Sequence, residues 1–211
     1  NFVLVPIATI VTITGTVRDT AGNPVAYDSV YLSPTVSGGV SGSANTSSTG
    51  SYSISVAAGA YTLGVGFNGN SSYTAHVPTA GNIFSVSPGG VVSLTQNTTL
   101  DITVSALKVV VHVQDTAGNP VPNVGVWDSL MTYNSNLILG TSLGALSAGG
   151  YSRLYNRSTD SDGNVVVWLF PNASGQFYSF SATPPSSMPL LPFTVQGVSV
   201  VGDMTVVIQL Q

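Results

Sequence analysis

The chain has 211 residues, of which only 6% are charged, and four Lys and Arg residues stand against eight acidic ones. So few basic residues exclude the positively charged surface that nucleic-acid binding requires, and the absence of Cys excludes disulfides and zinc-thiolate sites. No apolar run approaches the ~20 residues of a membrane-spanning helix. The abundance of Val, Ile, Thr and aromatic residues predicts an all-β protein.

Residues 1–12 form an apolar segment with two hydrophobic faces, interrupted by Pro6. Its apolar residues are Phe2, Val3, Leu4, Val5, Ile7, Ile10 and Val11. Extended through Val17, this strand would reach about 56 Å, beyond the ~30–35 Å width of a compact unit. Because an uncovered apolar strand aggregates, we expect it to pair either within its own unit or, as a donor strand, with another copy. A head-to-tail contact of the second kind does not close and therefore produces a filament.

An internal repeat organises the chain that follows. Residues Asp19 to Val25 read DTAGNPV, and residues Asp115 to Val121 read DTAGNPV again. In each copy, the Asp side chain can bond nearby backbone N–H groups, Gly supplies a positive φ, and Asn-Pro restarts an extended chain. Each copy therefore predicts a strand, a turn and a second strand.

Alternating apolar residues predict further strands at corresponding places in two units. In the first unit they surround Ile54, Leu63 and Ile102, and in the second they surround Ile208, whereas residues 165–170 form a fully apolar run that also predicts a strand. We therefore predict two tandem immunoglobulin/transthyretin-like β-sandwiches, residues 13–106 and 107–211. No Gly or Pro run separates them. The second unit is longer, which places an insertion, either a long loop or an added hairpin, at residues 131–155.

The spacing of these motifs resembles the carboxypeptidase-regulatory-like, transthyretin-like β-sandwich. The resemblance rests on a strand, D-x-x-G-x-P-V, another strand, and then a [ST]-x-x-G-x-[YV] turn that opens an aromatic strand. It covers the first two-thirds of each unit. It implies a stalk, spacer or adhesin module of a secreted protein, and it implies no particular activity.

The combination of two sandwiches, an apolar N-terminal strand, scarce charge and many sequons also resembles the thin extracellular threads of acid-loving archaea. That resemblance implies copies of this chain as partners, joined by donor strands, and N-linked glycans. A first residue that is not Met, together with a Ser-, Thr- and Asn-rich composition, fits an extracellular location.

Five N-x-[ST] sequons are candidate glycosylation sites. They begin at Asn45, Asn70, Asn97, Asn156 and Asn172. Chance alone would give about three, so unmodified surface Asn is the alternative for each.

The sequence predicts no catalytic residue, no metal and no cofactor. A calcium-loop reading of Asp160, Asp162 and Asn164 lacks the closing Glu and is less favoured than a hairpin turn. The aromatic residues Trp127 and Trp168 fall on strand patterns, which favours the core over a sugar platform.

Three functions remain open. The favoured one is the subunit of a cell-surface filament that polymerises through residues 1–12. The second is a non-polymerising adhesin or stalk module that binds glycans or surfaces through residues 131–155. The third is an accessory domain of a secreted enzyme.

Overall fold

The computed structural model describes residues 8–68, 82–88, 90–128 and 132–211. Within these ranges the chain is all β, as predicted, and contains no helix, so none of this part offers a helix that could cross a membrane. The strands are β1 (Ile10–Asp19), β2 (Ser29–Pro34), β3 (Gly42–Asn45), β4 (Ser51–Ala57), β5 (Gly59–Asn68), β6 (Asn82–Pro88), β7 (Val91–Leu94), β8 (Thr98–Thr99), β9 (Ile102–Val104), β10 (Leu107–Gln114), β11 (Gly125–Asp128), β12 (Thr132–Thr141), β13 (Gly144–Leu154), β14 (Arg157–Ser158), β15 (Asn164–Leu169), β16 (Tyr178–Thr183), β17 (Phe193–Val198) and β18 (Met204–Gln209).

Two central strands have the same pairing pattern, as the repeat predicts. Strand β1 lies between antiparallel β4 and parallel β9, with Val17 opposite Ile102. Strand β10 lies between antiparallel β15 and parallel β18, with Val113 opposite Ile208. On the facing side, β2 and β5 followed by β6 correspond to β11 and β16 followed by β17.

A threonine fixes the same corner in both halves. Thr46 Oγ1 donates a hydrogen bond to the Val25 carbonyl over 2.8 Å, and Thr159 Oγ1 donates to the Val121 carbonyl over 2.8 Å. Both threonines are buried, at 2% and 3% exposure. Each hydroxyl thus binds the carbonyl of the last residue of a DTAGNPV motif. Because the two threonines lie outside the identical residues, the structural repeat extends beyond them.

Among the described residues, a five-residue loop occurs four times. In each copy, the backbone N–H of the first residue donates a hydrogen bond to the carbonyl of the fifth residue. The carbonyl of the first residue accepts a hydrogen bond from the N–H of the fourth residue, which is a glycine with positive φ. The first side chain accepts hydrogen bonds from the N–H groups of the third and fifth residues. The copies occupy residues 19–23, 47–51, 115–119 and 160–164. The loops therefore satisfy their own backbone groups, which explains why Asp or Ser begins each of them.

Gly163 should tolerate substitution less well than Gly118, although both have positive φ. A Cβ on Gly163 would lie 2.5 Å from the Val113 carbonyl oxygen, whereas a Cβ on Gly118 would meet nothing within 4 Å. We expect Gly118→Ala to lower the free energy of unfolding by about 1 kcal/mol and Gly163→Ala by about 2 kcal/mol. Urea unfolding of the two variants measures this, and equal losses would contradict the close-approach argument.

The buried side chains of the described residues form two hydrophobic clusters. The first contains apolar residues of β1, β2, β4–β7 and β9, and the second contains those of β10, β11 and β15–β18. The first cluster also includes five residues from the second half of the chain. They are Leu137, Leu139, Ala148, Trp168 and Phe170.

The predicted insertion contains the hairpin β12–β13, which pairs with strands of the first half. Strand β13 pairs with β6, with Tyr151 opposite Ser85, and β12 pairs with β9, with Thr141 opposite Ile102. The hairpin thus links the two sheets of the first half into one eleven-stranded sheet, ordered β3-β2-β5-β6-β13-β12-β9-β1-β4 with β7 and β8 beside it. The second half has a three-stranded sheet, β15-β10-β18, and a four-stranded sheet, β14-β11-β16-β17.

Candidate functional site

The predicted donor strand is only partly within the described residues. Phe2, Val3, Leu4, Val5 and Ile7 lie outside them. For the last two residues, Ile10 and Val11, the prediction is wrong. They begin β1 and pair within their own chain, opposite Ala57 and Val56, and Val11 is buried at 2% exposure. The alternation of apolar residues was the same on both sides of this boundary, so it could not show where β1 begins.

The two sheets of the second half end in edges that no hairpin bridges. Within the described residues, β17 pairs only with β16 and β18 pairs only with β10. The equivalent strands of the first half, β6 and β9, are each paired further by the hairpin β12–β13. One backbone hydrogen bond connects the segment before β17 with the residues after β18. The Leu191 N–H donates to the Gln211 carbonyl over 2.8 Å.

Several apolar side chains belong to β17, to the segment just before it and to the start of β18. Met188, Leu190, Val195 and Met204 are partly buried against the second cluster. Beside them, Leu191 is 69% exposed and Phe193 is 44% exposed. We call the free edges of β17 and β18, together with these six side chains, the β17–β18 seam. Its open backbone groups and apolar surface suit the addition of an extended apolar strand.

Four of the five sequons lie in the described part, and Asn70 lies outside it. Asn45 and Asn156 are exposed, as acceptors of a glycan need to be. Asn97 is also exposed, but its Oδ1 accepts a hydrogen bond from the Thr12 N–H over 2.9 Å.

Asn172 is the sequon most engaged with the fold. Its side-chain amide donates to the Gln176 carbonyl, and its Oδ1 accepts a hydrogen bond from the Val200 N–H over 2.6 Å. It is only partly exposed. A glycan at Asn172 would therefore be attached to Nδ2, the same atom that donates the hydrogen bond to the Gln176 carbonyl.

A pocket of about 340 Å³ lies beside Asn156, lined by Trp127, Arg153, Tyr155 and Asn156. The prediction that Trp127 is a core residue is wrong. Its neighbours Val126 and Asp128 are buried at 0% and 1% exposure, so the alternation of the strand turns Trp127 to the outer face of its sheet. Trp168 does lie in a buried cluster.

Asp128 lies behind this pocket with its carboxylate fully buried. Its Oδ2 accepts a hydrogen bond from the Leu154 N–H over 2.8 Å, and its Oδ1 lies 3.7 Å from Arg153 Nε. Loss of solvation raises the pKa of Asp128 to about 7, against the smaller opposing effects of the Leu154 hydrogen bond and the Arg153 charge. Burial likewise raises the pKa of Asp28 well above its ordinary value.

The candidate calcium loop is the fourth copy of the five-residue loop. Asp160 Oδ1 accepts hydrogen bonds from the N–H groups of Asp162 and Asn164, and the Asn164 Oδ1 is 2.8 Å from His112 Nδ1. These contacts account for the sequence pattern as a turn. The described residues contain no cluster of three or more His, Cys, Asp or Glu side chains that could hold a metal ion.

The repeated loop and the strand pairing agree with a match to a known family. Residues 12–105 match the carboxypeptidase regulatory-like domain. The predicted resemblance is thus confirmed for the first half, from β1 to the end of β9, and stays a prediction for the second. The hairpin β12–β13, which completes the sheet formed by the matched residues, lies outside the match.

The remaining comparisons concern overall similarity. No curated protein matches the chain by sequence. Among solved structures, the shaft pilin SpaA of Lactobacillus rhamnosus GG covers 96% of this chain with 98% of its own, at 7% identity and a TM-score of 0.41. A candidate cell adhesion protein of Bacteroides ovatus covers 97% with 93% of its own, at 11% identity and a TM-score of 0.43.

The Bacillus anthracis TIE protein covers 96% of this chain with 34% of its own, at 14% identity and a TM-score of 0.30. This chain therefore spans about a third of that protein. Similarities at this level assign no function to the chain.

Proposed function

We propose that this protein is an extracellular structural subunit that polymerises head to tail. In this proposal, the apolar segment before β1 of one copy adds as a strand to the β17–β18 seam of the next. The observation that carries it is the contrast between the two halves. The hairpin β12–β13 bridges β6 and β9, whereas the equivalent strands β17 and β18 have no further partner strand among the described residues and lie beside apolar side chains.

We assign the occupant of the seam to another copy, because residues 1–7 precede the end of β1 that lies away from the second half. Strand β1 spans about 30 Å from Ile10 to Asp19. Its far end is the one near the second half, where the Thr20 hydroxyl contacts the Ala106 carbonyl over 3.4 Å. Residues 1–7 reach about 23 Å when extended and precede the opposite end of β1. An association between copies of this kind repeats without closing, so it produces a filament.

The composition and the sequons support the extracellular location. A surface rich in Ser, Thr and Asn and poor in charge stays hydrated over a wide pH range, and Asn45, Asn97 and Asn156 are exposed for N-linked glycans. We retain residues 13–106 and 107–211 as the two units, with the hairpin β12–β13 contributed by the second unit to the first.

Val5→Asp or Ile7→Asp should abolish filaments while leaving the subunit folded, because a carboxylate within the seam would lose its hydration without a partner. The control is Val40→Asp, the same kind of change at a residue that is 75% exposed in the first half. Negative-stain electron microscopy and SDS-resistant ladders measure assembly, and urea unfolding measures the fold. Filaments of ordinary length from Val5→Asp would overturn the proposal.

A mixing experiment completes this test by locating the acceptor. Phe193→Asp should also block assembly, because it alters the seam and leaves the donor segment intact. Each blocked variant keeps the partner surface that the other lacks, so an equimolar mixture of Val5→Asp and Phe193→Asp should give heterodimers and no filaments. If the mixture stays monomeric, the seam is not the acceptor.

The second candidate function is an adhesin module. The insertion does present aromatic surface, since Tyr133 and Tyr155 are 50% and 59% exposed. Its backbone, however, is paired on both sides within the first half. Saturable ligand binding by a monomer that never assembles would favour this second function.

A further inference from the structure

We infer that Trp127, Arg153, Tyr155 and Asn156 form a binding pocket for a neutral pyranose sugar. This inference is independent of the filament proposal, because it concerns the outer face of the sheet β14-β11-β16-β17 and not the β17–β18 seam. A volume of about 340 Å³ lies at the small end of the range for ligand sites. That size suits one or two sugar rings.

The first part of the argument is the pairing of an aromatic face with hydroxyl groups. Trp127 lies opposite Ser181 in the register of β11 and β16, and Ser181 lies opposite Thr194 of β17. The hydroxyls of Ser181 and Thr194 are 2.9 Å apart. An indole ring beside polar oxygens matches the two kinds of surface on a pyranose, its C–H face and its ring of hydroxyls.

The second part of the argument is the guanidinium of Arg153, which lies beside Tyr155 and whose Nε–H has no hydrogen-bond acceptor in the described part of the chain. The Arg153 guanidinium carbon lies 5.3 Å from the centre of the Tyr155 ring, and Nε lies 3.7 Å from Asp128 Oδ1. That distance is too long for a hydrogen bond, and the buried Nε–H finds no acceptor among the described residues. Nε itself is buried, but the Arg153 side chain as a whole is 30% exposed, so the exposed part of the guanidinium that lines the pocket can donate to a ligand oxygen.

The charges decide between a neutral and an acidic sugar. Asp128 lies directly behind Arg153 and offsets its positive charge when ionised. Asn156 adds an amide and no charge. Above pH 7, where Asp128 is ionised, aromatic faces, a charge-balanced guanidinium and an amide therefore favour neutral hydroxyl groups over a carboxylate or sulfate.

The sugar could come from two sources. One is a glycan attached to Asn156 itself, since this exposed sequon residue lines the pocket. The other is a free glycan of another molecule. The two sources share the same chemistry and differ in whether unglycosylated protein has an empty, titratable pocket.

The test uses the indole N–H signals of the unglycosylated full-length Val5→Asp variant, which keeps the pocket and is designed to stay monomeric, in ¹⁵N NMR at pH 8. The chain has two Trp residues, so Trp168, which lies in the buried core, serves as an internal control for Trp127. Titration with methyl mannoside, methyl glucoside and N,N′-diacetylchitobiose should shift the Trp127 signal saturably and leave the Trp168 signal unchanged. Methyl glucuronide should bind at least tenfold more weakly than the best neutral sugar.

Tyr155→Ala should weaken this binding at least tenfold, and Tyr133→Ala, which removes an exposed aromatic residue outside the pocket, should leave it unchanged. If free sugars cause no shift, protein glycosylated at Asn156 is compared with the Asn156→Gln variant from the same host. A displaced Trp127 signal in the glycosylated form alone supports the inference with the attached glycan as ligand. Failure of both arms, or equal shifts of both Trp signals, overturns it.

Discussion

Leu139→Ala should lower the free energy of unfolding by about 3–4 kcal/mol, although Leu139 lies in the inserted hairpin. Its side chain is 2% exposed and belongs to the first hydrophobic cluster, together with Leu137 and Ala148 of the same hairpin. Truncating a buried Leu removes its transfer free energy and leaves a cavity. The loss is therefore expected in the part of the chain that matches the regulatory-like domain, more than thirty residues before the substitution.

Ile138→Ala is the matched control for this prediction. Ile138 is the residue of β12 directly before Leu139 and is 49% exposed on the opposite face, so its truncation should change the free energy of unfolding by no more than about 0.5 kcal/mol. Urea denaturation followed by far-UV circular dichroism measures both variants. Similar small losses from the two would mean that the hairpin does not pack into the first cluster as described.

The local structure of the repeat was readable from the sequence because its causes are local. The DTAGNPV motif predicted a turn that Asp19 and Asp115 both form by capping N–H groups two and four residues later. The loop that begins at Ser47 has the same geometry with a hydroxyl in place of the carboxylate. The sequence did not reveal that this loop has the same structure as the Asp loops, because a Ser hydroxyl and an Asp carboxylate accept the same hydrogen bonds.

The position of the hairpin could not be read in the same way. Alternation along β12 and β13 indicates which face of a strand is buried, and it contains no information about the partner strand. The pairing of Tyr151 with Ser85 joins residues far apart in sequence. The insertion was therefore assigned to the second unit by its place in the chain, whereas its backbone pairs with the first half.

The candidate sites also differ in how far the sequence could predict them. The outward position of Trp127 was available in principle, since Val126 and the apolar residues around it define the buried face of β11. The burial of Asp128 broke that pattern, because a carboxylate in the core is not expected from alternation. The pocket itself depends on Arg153 and Tyr155 meeting a strand that lies about 25 residues earlier, which only the fold reveals.

The second large effect concerns pH, and it follows from the two buried aspartates. The folded protein should be more stable near pH 4 than near pH 7.5. Burial raises the pKa of Asp128 to about 7 and that of Asp28 well above its ordinary value, whereas in the unfolded chain both titrate near 4. Between these values the folded state holds protons that the unfolded state has released, so stability falls as pH rises from about 4 to 7.

Asp128 alone should contribute up to about 4 kcal/mol to this difference, at 1.4 kcal/mol for each unit between the two pKa values. Below pH 4 both states are protonated at these two residues, and their contribution no longer changes. The exposed Asp115 acts in the opposite direction, because hydrogen bonds from Asn119 lower the pKa of its carboxyl. Its stabilising effect is lost as the pH falls below about 4, which places the stability maximum near that value.

Asn substitutions separate these contributions, because Asn keeps an acceptor for the Leu154 and Ser29 N–H groups and cannot ionise. Asp28→Asn combined with Asp128→Asn should flatten the slope of the free energy of unfolding between pH 4 and 7, measured by urea denaturation at fixed ionic strength. Asp162→Asn, in an exposed loop, should leave the slope unchanged. A wild-type protein that gains stability from pH 4 to 7 would show that the two carboxylates ionise inside the fold. Such a result would require counter-charges or water beyond the Arg153 guanidinium, because Oδ2 of Asp28 and Oδ1 of Asp128 accept no hydrogen bond among the described residues. The burial of these aspartates lowers the free energy of unfolding at neutral pH and therefore favours a fold that is most stable in acid. A surface with few ion pairs also loses little stability when its carboxylates are protonated.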